Sequence, residues 1–378
     1  VRIVFVGCGF VSDYYLKTLP LHPHLELIGC FDQDCDRADH LAKRTWSKSY
    51  NSLDDVLADA NVDIVVNLTN PRSHYSITQA ALMAGKHVYS EKPIAMTMAE
   101  AKELADLANQ KNLQLSCAPC SCLSESAQTL WKALRQEVVG PVRLVYAEMD
   151  DGLVHKMPYQ QWVSTSGIPW PFQDEFEVGC TLEHAGYYLT WLTMFFGPAA
   201  SVTAFSSCLI PAADKHPEVT LSPSDTPDFS VACIKFVSGV VARLTCSIVA
   251  PHDHSLRIIG DQGIAGIDDC WYYGDPVYVQ RMVKIRRKVF MSPVKKKYPL
   301  VRRAPKFNYN GAQQMDFCRG VAEMAEAITE GRPNRLATDF SLHNNELAIA
   351  IQNALETGCT YPLTTSFEPI QPMPWAMA

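Results

Sequence analysis

The first stretch able to do chemistry follows the apolar run Val1–Val6 and reads Gly7-Cys8-Gly9-Phe10-Val11-Ser12. A strand-to-helix turn this tight uses glycine twice. One position takes backbone angles closed to other residues, and the other lets the main chain approach a pyrophosphate. The helix that follows would aim its free N–H groups and the positive end of its dipole at the phosphates. Ser12 replaces the usual third glycine and is still small. Asp32 closes the second apolar run, 23 residues beyond Gly9. A carboxylate there accepts from both adenosine ribose hydroxyls and repels a 2′-phosphate, so the pattern reads as an NAD site, with NADP disfavoured. Gly7, Gly9, Phe10, Val11 and Asp32 are its expected contacts.

Two other constellations compete for attention. Cys117, Cys120 and Cys122 form C-x-x-C-x-C. Zinc would ask for a fourth ligand and a second pair of cysteines, and the sequence offers neither, so no metal is expected and packing of small thiols is the simpler reading. Residues 281–306 carry eleven Lys or Arg and no Asp or Glu, which leaves 22 basic and 40 acidic residues elsewhere, a balance of −18. A solvated hairpin explains such a run; a clamp for an anionic substrate or a patch for an acidic subunit are the functional alternatives. With a net charge of −7 and no reader motif, neither nucleic acid nor an anionic membrane is an expected partner.

These residues must be held by regular elements. Apolar runs at Val1–Val6, Leu25–Phe31, Val62–Leu68, His87–Tyr89 and Leu113–Cys117 read as strands, with helix-period stretches between them such as Ser73–Ala84 and Ala99–Gln110. Strands alternating with helices predict a parallel sheet with crossover helices. Further on, Ser124–Glu137 reads as a helix, Pro141–Met149 as a strand and Thr181–Phe196 as a helix. Strands then cluster at Val202–Leu209, Phe229–Phe236, Val240–Val249, Leu256–Ile259 and Val277–Val289, before long helices over Gly311–Glu330 and Phe340–Thr357. The expected fold is α/β: an N-terminal Rossmann dinucleotide-binding domain, 1–122, and a C-terminal α+β domain, 123–378, with a large, mostly antiparallel open sheet. At 378 residues and 47% hydrophobic content, each domain can bury its own core. The uncharged segment 185–213 has a dense apolar part of ten residues closed by Gly197-Pro198, short of the about 20 a membrane span needs. Thirteen scattered cysteines and a start directly in a strand suggest free thiols and a cytoplasmic setting.

Further motifs carry a family resemblance. Thr69-Asn70-Pro71-Arg72-Ser73-His74 follows the third strand, and Ala84-Gly85-Lys86-His87-Val88-Tyr89-Ser90-Glu91-Lys92-Pro93 includes the next. With Gly260-Asp261-Gln262-Gly263 and His343-Asn344-Asn345-Glu346, they resemble the Gfo/Idh/MocA oxidoreductases over essentially the whole chain. The resemblance implies that Thr69, Asn70, Pro71, His74, Glu91, Lys92, Pro93 and Trp170 belong to the cofactor pocket. It also implies that Lys92 reaches the reacting hydroxyl, where an ammonium would stabilise a developing alkoxide. The family's D-x-G-x-H helix signature corresponds here to Glu183-His184-Ala185-Gly186-Tyr187, so Glu183 stands for the aspartate and Tyr187 for the histidine. Tyrosine occurs there in some members and can relay a proton beside a lysine. His184, the neighbouring alternative, would point about 100° away from Glu183 on a regular helix.

The expected activity is therefore NAD-dependent hydride transfer at a hydroxyl or keto carbon of a sugar or sugar derivative, phosphorylated and nucleotide-linked sugars included. A homodimer or homotetramer through the C-terminal sheet is implied. Two alternatives stay open: a non-catalytic NAD-binding sensor on the same fold, and an NAD-retaining enzyme that oxidises transiently for elimination or glycoside cleavage.

Overall fold

A computed structural model of the chain describes residues 1–211, 226–307, 314–355 and 358–377. It divides into two compact units, neither contiguous in sequence. The first holds Val1–Cys120, Pro158–Val178 and Asp316–Ile349; the second holds Ser121–Met157, Gly179–Met315 and Ala350–Ala378. The first break lies two residues before the 122/123 division expected from sequence. Two later segments group with the N-terminal strands for identifiable reasons. Ser166 donates its N–H and its hydroxyl to Asp13 (2.7 and 2.5 Å), and the Cys318 N–H donates to Thr18 Oγ1 at 3.0 Å.

In the first unit, β1 (Arg2–Val6), β2 (Glu26–Phe31), β3 (Lys48–Ser49), β4 (Ile64–Asn67), β5 (His87–Ser90) and β6 (Leu115–Cys117) form a parallel sheet in the order β3-β2-β1-β4-β5-β6. Ile3, Val4 and Phe5 of β1 and Ile64, Val65 and Val66 of β4 are fully buried. Strands covered on both faces need continuous apolar runs, not alternation. The crossovers are α1 (Ser12–Thr18), α2 (Cys35–Thr45), α3 (Leu53–Ala58), α4 (His74–Met83) and α5 (Met98–Gln110). Asp34 caps α2 by accepting from the N–H groups of Asp36 and Arg37, and Thr97 with Glu100 makes a capping box on α5. Strand order reverses between β1 and β4. Their carboxyl ends therefore open the crevice where a Rossmann sheet takes its ligand.

In the second unit, β7 (Val142–Asp150), β8 (Ala199–Ser207), β9 (Phe229–Phe236), β10 (Val241–Ser247), β11 (Leu256–Gly260), β12 (Gly263–Ile267), β13 (Val277–Ile285), β14 (Lys288–Met291), β15 (Lys296–Tyr298) and β16 (Thr360–Pro362) build a ten-stranded sheet. The order is β14-β13-β12-β11-β7-β10-β9-β8-β16, with β15 pairing β13, and every pair is antiparallel except β7–β10. Burial alternates along β7, β9 and β10, so one face is core and the other open. The helices of this unit are α6 (Glu125–Arg135) and α8 (Gly186–Phe196), and Tyr188 and Trp191 of α8 are fully buried.

Several expected elements change. Val277–Val289 is not one strand: Arg286 takes φ +54°, the chain turns, and β14 returns beside β13. Neither glycine nor proline marks that turn, so it is silent in sequence. The helix expected over Gly311–Glu330 is helical from Arg319 as α9 (Arg319–Glu330), and residues 308–313 lie outside the described residues. Thr181–Phe196 opens with a π-helical turn, Thr181–Ala185, before α8 begins. The helix over Phe340–Thr357 is α10 (Thr338–Gln352). Helices α2 and α3 fill crossovers that the alternation implied without bounds, and α7 (Phe172–Val178) was not anticipated. Among the described residues no helix is long and apolar enough to cross a membrane.

The α5 cap gives a direct check on this architecture. Thr97→Ala removes the hydroxyl that accepts from the Glu100 N–H, so thermal unfolding should show a loss of about 1 kcal/mol. A loss below the error of the measurement would mean the capping box does not stabilise α5.

Candidate active site

The two glycines of the first loop have separate tasks. Gly7 sits at φ +98°, and a Cβ there would lie 2.6 Å from both the carbonyl carbon and oxygen of Leu68, so only glycine fits. Around Gly9 a Cβ would meet nothing within 4 Å, which leaves its main chain open to a ligand. Asp32 is half-buried; its Oδ2 accepts the Cys8 N–H at 2.7 Å and its Oδ1 the Asp34 N–H at 2.9 Å. Those bonds fix the carboxylate and leave each oxygen a lone pair for a ribose hydroxyl. Arg37 opens from the same loop but pairs with Asp34 at 2.9 Å. A bare glycine cradle beside a fixed carboxylate fits a dinucleotide.

Lys92 is held by a loop anchored on both sides. Glu91, buried, accepts the Tyr15 hydroxyl at 2.7 Å and the Lys92 N–H at 3.1 Å. His74 is wholly buried, with Nδ1 2.7 Å from the Pro93 carbonyl and Nε2 2.9 Å from that of Thr69. Both its nitrogens serve protein carbonyls, so it ties two loops together. Asn67 accepts the Thr69 hydroxyl at 2.7 Å. The Lys92–Pro93 peptide is cis, and the Lys92 side chain is half-buried. Trp170 is also half-buried and packs on Trp162 at 4.9 Å between ring centroids. It belongs to the same unit as the glycine loop through the Ser166–Asp13 bonds. Gly7, Gly9, Asp32, Thr69, Glu91, Lys92 and Pro93 all follow carboxyl ends of β1, β2, β4 or β5.

Glu183, His184 and Tyr187 stand in the second unit. The π turn that carries the first two follows Gly179, which takes φ +99°, and its Leu182 N–H, which has no acceptor within the helix, donates to Gln352 Oε1 at 3.2 Å. Leu182, Ala185, Tyr188 and Leu189 are buried, while Glu183, His184 and Tyr187 are half-buried along the other side. The wider turn brings His184 onto the face expected for Glu183 and Tyr187 alone. Tyr187 meets Trp271 edge-on, centroids 5.5 Å apart.

Behind this face lies a polar group that sequence reading missed. Asp151, just past β7, places Oδ2 2.5 Å from His184 Nδ1 and Oδ1 2.6 Å from His254 Nε2. The ladder assembles it. Asp150 and Asp253 exchange backbone bonds at 3.0 and 2.9 Å, and the Asp151 N–H reaches the Ser247 carbonyl at 2.9 Å. Burial alone would push the Asp151 carboxyl up, yet the charge and hydrogen bonds of His184 and His254 hold it well below the usual range. Two signals for this site were present in sequence: the Asp150-Asp151-Gly152 turn closing a strand, and His252-x-His254, whose alternate spacing puts both rings on one side.

Cys117 and Cys120 point their thiols at the carbonyls of Glu91 and Asp316, at 3.5 and 3.4 Å, and all thirteen cysteines are free.

Comparison with known proteins agrees with the fold of both units. Residues 1–118 match the oxidoreductase family with an NAD-binding Rossmann fold, and residues 127–265 match the GFO/IDH/MocA C-terminal domain. An uncharacterised oxidoreductase of Synechocystis is 27% identical over 268 residues, 69% of this chain and 70% of that protein. The trans-1,2-dihydrobenzene-1,2-diol dehydrogenase of Sus scrofa is 24% identical over 330 residues, 86% of this chain and 88% of that one. Among solved structures, the aldose-aldose oxidoreductase of Caulobacter crescentus superimposes with a TM-score of 0.74 at 20% identity, covering 96% of this chain and 99% of that one.

Asp151 and His254 make stability depend on pH in both directions. The depressed Asp151 contributes above its unfolded pKa, about 3.9, and loses that contribution as pH falls. The raised His254 contributes below its unfolded pKa, about 6.5, and loses it as pH climbs through the folded value. Asp151→Asn should therefore cost about 3–5 kcal/mol, with the gap to the parent widest between about pH 4 and 6.5. Urea unfolding across pH 3–9 measures it, and a gap independent of pH would show that the histidines do not share this charge.

Proposed function

Because this chain belongs to the Gfo/Idh/MocA oxidoreductase family, we propose that it moves a hydride between NAD and a hydroxyl-bearing carbon of a sugar or sugar-like diol. The observation that carries the reading is the anchored Glu91-Lys92-Pro93 loop, at the carboxyl end of β5 in the unit that holds the glycine cradle and Asp32. A dinucleotide held by Gly7, Gly9 and Asp32 would supply the hydride acceptor. The Lys92 ammonium lowers the pKa of the substrate hydroxyl and stabilises the negative charge that develops on its oxygen. As the alcohol becomes a ketone, its carbon gives up hydrogen as hydride and its oxygen gives up a proton.

The family resemblance points to Tyr187 as the proton acceptor. The geometry favours His184. Its Nδ1 is oriented by a buried carboxylate, the arrangement that fixes an imidazole's tautomer and prepares the other nitrogen to take a proton. Tyr187 and Glu183 share that face of the second unit. The names of two similar proteins, a dihydrodiol dehydrogenase and an aldose-aldose oxidoreductase, both refer to compounds with hydroxyls on neighbouring carbons, which supports the substrate class. Asp32 favours NAD. The open face of the C-terminal sheet, where Arg243 and Arg257 stack on Tyr146 at 4.6 and 5.4 Å, is the surface we propose for a homodimer.

Absorbance at 340 nm, followed over a panel of sugars, sugar phosphates and nucleotide sugars, tests the reaction. Lys92→Ala should lower turnover at least about 100-fold while NAD still binds by fluorescence titration. Full activity in that variant would remove Lys92 from the chemistry. Asp32→Ala should cut the preference for NAD over NADP about tenfold or more, measured as the ratio of kcat/KM. An unchanged ratio would show that Asp32 does not read the ribose.

A further inference from the structure

A second imidazole stands one carboxylate away from His184, and its surroundings decide its charge. His254 is buried, with a carboxylate oxygen at each ring nitrogen: Asp151 Oδ1 at 2.6 Å from Nε2 and Asp269 Oδ1 at 3.4 Å from Nδ1. A neutral ring would turn a lone pair toward one of these acids, whereas the doubly protonated ring donates to Asp151 and turns its second N–H and its charge toward Asp269. Burial opposes the charge, but the two aspartates outweigh it and lift His254 above the ordinary histidine range. The ring is fixed as well as charged. Trp271 lies edge-on at 4.4 Å, the His252 ring at 4.1 Å, and the Tyr188 hydroxyl donates to the His254 carbonyl. The other titratable groups around it are Asp150, at the end of β7, Asp253 on its own segment and Cys270 beside Asp269.

We infer that His254 is a built-in cation that sets the proton affinity of His184 through the carboxylate the two share, and is therefore a positioning residue for the proton-transfer step. A buried carboxylate facing His184 alone would bind the imidazolium strongly and keep it protonated, which spoils it as a base. With His254 already neutralising Asp151, a second positive charge on His184 gains far less. His184 then holds its proton less tightly while still oriented by Asp151. Glu183 and Tyr187 on its own helical segment, with Asp151, are among the titratable groups next to it. This inference rests on the reading of His184 as the proton acceptor, but its primary test needs neither substrate nor cofactor.

The experiment follows the His184 ring by histidine-selective NMR titration of the full chain, with His184→Gln identifying its resonance. His254→Gln should move the His184 midpoint up by about one pH unit. Asp269→Asn, a milder change at the rim that weakens the hold on the second proton of His254, should move it the same way. It keeps the test decisive if the first variant unfolds by circular dichroism. His252→Gln should leave the midpoint in place. An unmoved midpoint in folded His254→Gln or Asp269→Asn, or an equal shift in His252→Gln, would overturn the inference. Kinetics separate it from the functional reading. A shifted midpoint with the rising limb of the pH–rate profile displaced equally supports both. A shifted midpoint with no nicotinamide-linked turnover on any substrate supports the tuning and overturns the oxidoreductase assignment.

Discussion

The buried polar cluster of the second unit depends on one carboxylate divided between two imidazoles. Asp151 is buried, and a charge in that position is tolerated only where partners replace the water it has lost. His184 and His254 do so from opposite oxygens, at 2.5 and 2.6 Å. The constraint reaches into the sheet. β7 must lie between β10 and β11, parallel to one and antiparallel to the other, for its end to meet both Ser247 and the segment that carries His254. It reaches the helix too. The π turn held by Gln352 lets His184 face this carboxylate while Tyr188 and Trp191 stay in the core.

The first unit shows the same economy of buried polar bonds around a different charge. Glu91 and His74 are buried and hold the main chain on either side of the half-buried Lys92. A flexible lysine is useful in a reacting geometry only when its backbone is rigid, because displacements near 1 Å are felt in rate. Asp32 is fixed likewise by the N–H groups of Cys8 and Asp34. In both units, groups able to meet ligand rest on groups that meet only protein.

How legible this was in sequence follows from how local each feature is. The glycine turn, Asp32 and the strands of the first sheet lie in short segments whose residue types encode their own geometry, and Gly7 and Gly9 divide their tasks as the motif requires. Lys92 stands in a contiguous motif that sequence alone singles out. Asp151, His254 and Asp269 do not, because 103 residues separate the first two and only strand pairing brings them together. The partner that caps the π turn was hidden for the same reason: Gln352 lies 170 residues from Leu182. The β13–β14 turn was hidden for a local reason: arginine adopts the left-handed backbone angle where a glycine would have announced it.

The basic ribbon ends the large sheet at β14. Met282, Ile285, Val289 and Phe290 are exposed along it, and an outermost strand with apolar side chains and spare backbone groups invites another molecule to continue the ladder. Here the edge strand opens with Lys288, directly after Arg286 and Arg287 in the turn. A second molecule adding its own edge strand side by side and parallel would set these cations next to their counterparts. Mutual repulsion at that border would oppose runaway polymerisation of the sheet.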